Sequence, residues 1–193
     1  MTYLVLGLVV FFGTHLFTTF RSRAPGKDLK VRMGTGPYMG LYSLAALAGF
    51  VLMVWGYGEA RSAGGLGYPP AALRHLNLVL MPFAMIALVA AYAPAGHIKK
   101  ILKHPMLVAV KIWAVGHLLA NWEWNSIFLF GSFLAYAVID RIQLKKRGDN
   151  GPPADAPVNV MGDVAAVVIG LGAYAAILVW LHPVLFGVPV LPG

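Results

Sequence analysis

Six histidines occur in a chain that contains no cysteine. Two of them lie deep inside apolar runs. His15 sits within Phe11-Phe12-Gly13-Thr14-His15-Leu16-Phe17, and His117 closes Lys111-Ile112-Trp113-Ala114-Val115-Gly116-His117. An ionisable side chain in such a run is a functional candidate, because removing it from water is costly. Imidazole is a strong iron ligand, and two such rings on different helices facing one bundle interior form the arrangement that holds a b-type haem. The plainer alternative for each ring is a hydrogen bond to a neighbouring helix. The lack of cysteine excludes disulfides, iron–sulfur clusters, thiolate zinc sites and covalent CxxCH haem attachment.

Helical spacing assigns each histidine its neighbours. Leu8, Phe11, Phe12, Thr18 and Thr19 share the face of His15, while Val110, Trp113, Ala114 and Asn121 share that of His117. Asn121, one turn further on, is placed to hold a haem propionate or orient a distal ligand. Lys111 either snorkels to the aqueous surface or meets an acidic group such as a propionate. His104 stands directly before Pro105 and reads as a capping or interfacial group. His97 reads as a loop residue among lysines. His75 and His182 fall at the outer edges of two apolar runs, as a second candidate pair or as interfacial side chains.

The elements that must position these residues follow from composition. Of 193 residues, 59% are hydrophobic and 11% charged, against roughly 45–50% and about 25% in soluble domains. Spanning helices need about 20 mostly apolar residues each, so six of them absorb the apolar content. A soluble enzyme, a disordered tail and a collagen-like fibre are excluded. A membrane β-barrel, whose strands alternate apolar and polar, is disfavoured. Six spans are expected at Thr2–Phe20, Tyr38–Gly58, Ala72–Ala93, Pro105–Trp122, Ser126–Ile142 and Val158–Leu181, the fourth and fifth joined by a tight turn at 123–125. The expected fold is therefore all-α, a polytopic membrane helical bundle of about six transmembrane helices, forming one integral membrane domain over 1–193.

Pro82 falls inside the third span and should kink it, which is tolerated where a neighbour satisfies the freed carbonyl. Glu59–Pro70, rich in Gly and Ala, reads as a flexible connection, Gly148–Pro157 as a short polar linker, and Asp140-Arg141 as an interfacial ion pair. Twelve of the 15 Lys and Arg residues fall in alternate loops. Positive-inside bias then puts both termini on the non-cytoplasmic side. The first span has no basic residues before it and no cleavage signal, so it reads as a membrane helix rather than a signal peptide. In this setting the net charge of +8 points to anionic lipid and not to nucleic acid.

The stretch Lys103-His104-Pro105-Met106-Leu107 with Lys111 to Asn121, the block Leu129 to Arg141, and Gly13-Thr14-His15 together resemble the NnrU family of bacterial membrane proteins. The resemblance rests on residues 1–147, and the C-terminal span at about 158–181 adds little to it. It implies a bacterial inner-membrane protein linked to nitrogen-oxide metabolism. The family is also similar to ζ-carotene isomerase, a membrane haem-b enzyme whose proposed haem ligands match His15 and His117. A cysteine near the second of those ligands has no counterpart here, so the isomerase mechanism does not transfer whole. The resulting expectation is a haem-b protein with ligands His15 and His117, and Asn121, Lys111 and Trp113 around the cofactor. Its role would be redox or sensing work on a small gaseous or lipophilic ligand. A haem-dependent cis–trans isomerase of a polyene is the alternative, and whether the protein is an enzyme stays open. Lys103-His104-Pro105 also partly resembles the Arg-His-Pro helix start of membrane methyltransferases, but their later acidic and tyrosine-rich motif is missing.

Overall fold

The structure, a computed structural model, describes residues 1–191. It is helical: α1 (Thr2–Phe20), α2 (Leu29–Met33), α3 (Thr35–Glu59), α4 (Ala71–Tyr92), α5 (His97–Leu102), α6 (Pro105–Ala120), α7 (Trp124–Lys146), α8 (Val160–Ala176), a π-helical segment Ile177–Leu181, and α9 (His182–Phe186). Five helical stretches are long and apolar enough to cross a membrane, and α6 is a shorter apolar one. The six expected spans are all present, with ends shifted by a few residues. The chain is a multi-pass helical membrane protein. It divides into two compact units, one made of Met1–Pro69 with Asn121–Lys146, the other of Pro70–Ala120 with the chain from Arg147 on.

In the first unit α1 and α3 pack main chain against main chain. Gly7 lies against the backbone of Met53, Gly49 against that of Phe11, and Gly56 against that of Leu4. Small residues at such crossings are what a membrane pair needs, because packing rather than water exclusion holds apolar helices together there. Leu4, Leu8, Phe12, Met53 and Ala60 form the buried cluster, with Leu129, Phe133 and Tyr136 of α7 packed on it. Helix α7 is tied to α3 at its start, where Tyr57 and Ser126 share a hydroxyl hydrogen bond of 2.9 Å. The connection after α3 is not the free loop expected from its glycines. Gly65 pairs with Glu123 in an antiparallel bridge, with Leu66 N–H donating to Trp122 O and Trp124 N–H to Gly64 O, both at 3.0 Å. The connection after α3 and the turn that leads into α7 thus satisfy each other's backbone groups.

Arg21 closes α1 and pairs with Asp28, whose side chain also caps α2 through Lys30 N–H. The Arg21 hydrogen bond, helped by the Lys30 amide, holds the Asp28 carboxyl below the usual carboxylate range. A lowered folded value means that this pair's stabilisation is complete above the ordinary aspartate value of about 4 and is lost as pH falls through the lowered one. Cleavage within residues 21–28 by a protease active in acid should therefore accelerate as pH falls towards that range. Asp28→Asn should cleave fast at every pH.

In the second unit α4 carries α6 on one side and α8 on another. Pro82 has no N–H to give Leu78 O, and the Tyr174 hydroxyl of α8 donates to that carbonyl at 2.9 Å. The neighbour required by an intramembrane proline is therefore present. Tyr174→Phe should cost about 1–2 kcal/mol of resistance to unfolding. Pro82→Ala in the same chain should recover most of it, a double-mutant cycle that isolates the contact. Helix α5 is capped from α8, with Asp163 accepting the His97 and Ile98 amides at 2.8 and 2.9 Å. The short polar linker is docked: Lys100 reaches the carbonyls of Ala154 and Ala156, and just beyond it Asn159 N–H donates to Ala95 O at 2.9 Å. At the end of α8 the His182 amide bonds back five residues to Ile177, and the next residue, Pro183, has no amide to continue an α pattern.

Candidate functional site

The two intramembrane histidines belong to different units. His15, in the first, stands on α1, and its Nδ1 lies 2.7 Å from Phe11 O, the carbonyl one turn back. A carbonyl can only accept, so Nδ1 carries a proton, and in the tautomer this fixes the lone pair is at Nε2. The ring rests on Phe11 (centroids 4.2 Å) and is enclosed by Tyr42 of α3 (5.4 Å) and by Tyr136 of α7, edge-on at 5.5 Å. Three helices therefore fix one imidazole.

His117, in the second unit, repeats that construction on α6. Its Nδ1 donates to Trp113 O at 2.8 Å, and its ring lies 5.2 Å from the Trp113 indole. Each ring thus has an aromatic residue four positions earlier that supplies both its carbonyl and its ring. The preceding residue, Gly116, is buried against Asn77 and Met81 of α4, which holds this turn of α6 close to its neighbour.

The other expected site residues fare unevenly. Trp113 is at the side of His117, as the helical spacing requires. Lys111 is half-buried and makes no hydrogen bond or ion pair with the described residues. Asn121 lies one residue past the end of α6 and belongs to the first unit. Asp140 takes its hydrogen bond from Thr19, at 2.8 Å, and makes no ion pair with Arg141 among the described residues. His75 is exposed at the start of α4.

His97 packs its ring on Asp163 at 3.0 Å. His104 donates from Nε2 to Asp149 O at 3.1 Å. It follows a strained turn in which Lys103 has φ 61° and ψ −57° and the His104 amide bonds to Leu102 O at 2.7 Å. Gly151, at φ 81°, fits against the Lys103 backbone where a side chain would collide. His182 also gives its Nδ1 to a carbonyl, that of Val188 at 2.7 Å. The tautomer-fixing bonds and the tyrosines around His15 were missed by sequence reasoning. An aromatic residue four before each histidine was the available signal.

Among the described residues no group of three or more His, Cys, Asp or Glu side chains is placed to hold a metal ion. A porphyrin brings four nitrogens of its own and needs only axial ligands, which an imidazole with its Nδ1 committed to a carbonyl can supply from Nε2. The family model described as "NnrU protein" matches residues 3–190, which takes in the C-terminal span as well as the region that carried the resemblance. No curated protein and no solved structure matches the chain.

Proposed function

The chain belongs to the NnrU family, and we propose that it is an integral-membrane haem-b protein with His15 and His117 as axial ligands, doing redox or sensing work in nitrogen-oxide metabolism. The observation that carries this reading is the identical local construction of the two histidines. In each, Nδ1 is committed to the carbonyl one turn back, the outer-shell bond that orients a ligating imidazole and raises its basicity. When bound, the haem would supply an iron centre able to exchange an electron or accept a small ligand. The chain's own part is to hold two rings in one tautomer, to shield them with Phe11, Tyr42, Tyr136 and Trp113, and to keep water away from Nε2. Lys111 and Asn121 are the side chains offered to the propionates. Localisation in the bacterial cytoplasmic membrane, with the Lys- and Arg-rich loops inside, completes the proposal.

The test is an absorption spectrum of the purified full chain, oxidised and reduced, as isolated and after loading with haem. A Soret band with the sharp visible bands of six-coordinate low-spin iron is expected. No Soret band after loading overturns the reading.

A further inference from the structure

Helices α1 and α7 run parallel. Phe12 meets Phe133 edge-on at 4.9 Å, and about two turns further along Thr19 donates to Asp140 at 2.8 Å. On one side the seam between them is open. Phe12, Gly13 and Leu16 of α1 face Ala135, Tyr136 and Ile139 of α7 across an apolar groove of about 420 Å³. The groove is roomy because its walls carry small residues, and a Cβ added at Gly13 would meet nothing within 4 Å.

Leu16 and Ile139, at one end of the groove, lie within about a turn of the Thr19–Asp140 contact. Immediately beyond that contact come Arg21 and Arg141. The Arg21 side chain is 12% exposed and uses Nη1 for Asp28, with its guanidinium 5.5 Å from the Tyr38 ring centre. Its Nε, and Nη1 of Arg141, are shielded from solvent and have no acceptor among the described residues. Unsatisfied guanidinium donors at such a boundary are costly, and an anionic oxygen is the acceptor that suits them best. Around them, residues 21–33 and 140–146 carry eight Lys and Arg against two Asp.

We propose that this seam binds one anionic membrane lipid, with an acyl chain in the groove and the headgroup phosphodiester on Arg21 and Arg141. Charge decides between occupants. A second copy of the chain would bring the same basic end to the same place, whereas an anionic phospholipid brings an apolar tail and a negative head in the order the seam presents them. Guanidinium is the cation whose forked donors match phosphate oxygens. The proposal stands independently of haem.

Native mass spectrometry of the full chain, released from detergent with phosphatidylglycerol, phosphatidylcholine of the same acyl chains, or inorganic phosphate, tests it. One phosphatidylglycerol should be retained, with phosphatidylcholine held about tenfold more weakly, because it carries the same phosphodiester but adds a quaternary ammonium that the surrounding Lys and Arg side chains repel. Inorganic phosphate should neither bind nor compete. Arg141→Gln and Gly13→Leu should each weaken phosphatidylglycerol by about tenfold or more, the first by removing the head contact and the second by filling the groove. Gly13→Leu places its side chain in open space, so it keeps the test decisive if the arginine variant fails to fold. Lys146→Gln should change little. Retention unaffected by Gly13→Leu, an equal loss in Lys146→Gln, tight binding of phosphate alone, or a dimer that Gly13→Leu dissolves would each overturn the proposal.

Discussion

Replacing Gly56 with leucine is expected to eliminate monodisperse protein from detergent extracts of the membrane fraction, whereas Gly13→Leu, on the partner helix α1, should leave its yield unchanged. The difference is what each new side chain meets. At Gly56 the first added carbon already falls on the backbone of Tyr3 and Leu4, and at Gly7 it would fall on the backbone of Met53. Neither neighbour is the far end of a flexible side chain that can swing away. To admit leucine, α1 and α3 must separate along a crossing that also includes Gly49 against Phe11, at 2.6 Å from an added Cβ.

In water such overpacking costs about 1–3 kcal/mol and sometimes more. Between membrane helices the loss is harder to recover, since lipid tails offer no hydrophobic drive to bring the pair together again. Leu4, fully buried, and Met53, 3% exposed, would lose their packing at the same time. Gly56→Ala should give an intermediate yield and a lower unfolding temperature by gel filtration after heating. Normal yield and thermal stability for Gly56→Leu would show that this crossing does not hold the first unit together.

The second large effect concerns the histidines. His117→Ala and His15→Ala should each convert the haem-loaded protein from a six-coordinate to a five-coordinate spectrum or lose haem on gel filtration, and the double variant should lose it entirely. Removing only an outer-shell partner of a ligating histidine already costs about 10–100-fold in affinity, so loss of the ligand itself should exceed that. His104→Ala and His75→Ala serve as controls, because one ring is engaged with Asp149 and the other is exposed. Trp113→Leu is the informative neighbour. It removes the indole but keeps the main-chain carbonyl that fixes the tautomer, so the spectrum should stay six-coordinate with weaker haem retention. If His15→Ala and His117→Ala retain wild-type spectra, these rings serve only as helix-packing groups and the axial ligands lie elsewhere.

The helices were readable in the sequence because membrane spans announce themselves by length: Thr2–Phe20 coincides with α1, and the proline at 105 marks the first residue of α6. Pro82 was legible as an intramembrane proline that needs a partner for the freed carbonyl, but Tyr174 as that partner was not, since 92 residues separate them in the chain. The glycines of 59–70 suggested freedom where the structure has a pairing, because glycine permits both a mobile loop and a close backbone approach. The same ambiguity hid the docked segment after Arg147. At the site, the spacing of His15 and His117 showed that each ring lies within an apolar span. The direction of each lone pair depends on a hydrogen bond within one turn, which becomes visible only once the backbone carbonyls have positions.

Each unit is assembled from two stretches of chain that alternate along the sequence. The order of synthesis therefore differs from the order of packing. Helices α1 and α3 emerge first and can associate at once, but their third partner, α7, arrives only after α4, α5 and α6 have been made. Those helices in turn must wait for α8. Neither unit can be produced as an uninterrupted fragment, and a ribosome stalled after residue 120 would leave both unfinished in the bilayer. Assembly of each unit thus waits for its later segment, and truncation before α7 should expose the chain to membrane quality control rather than yield a working half.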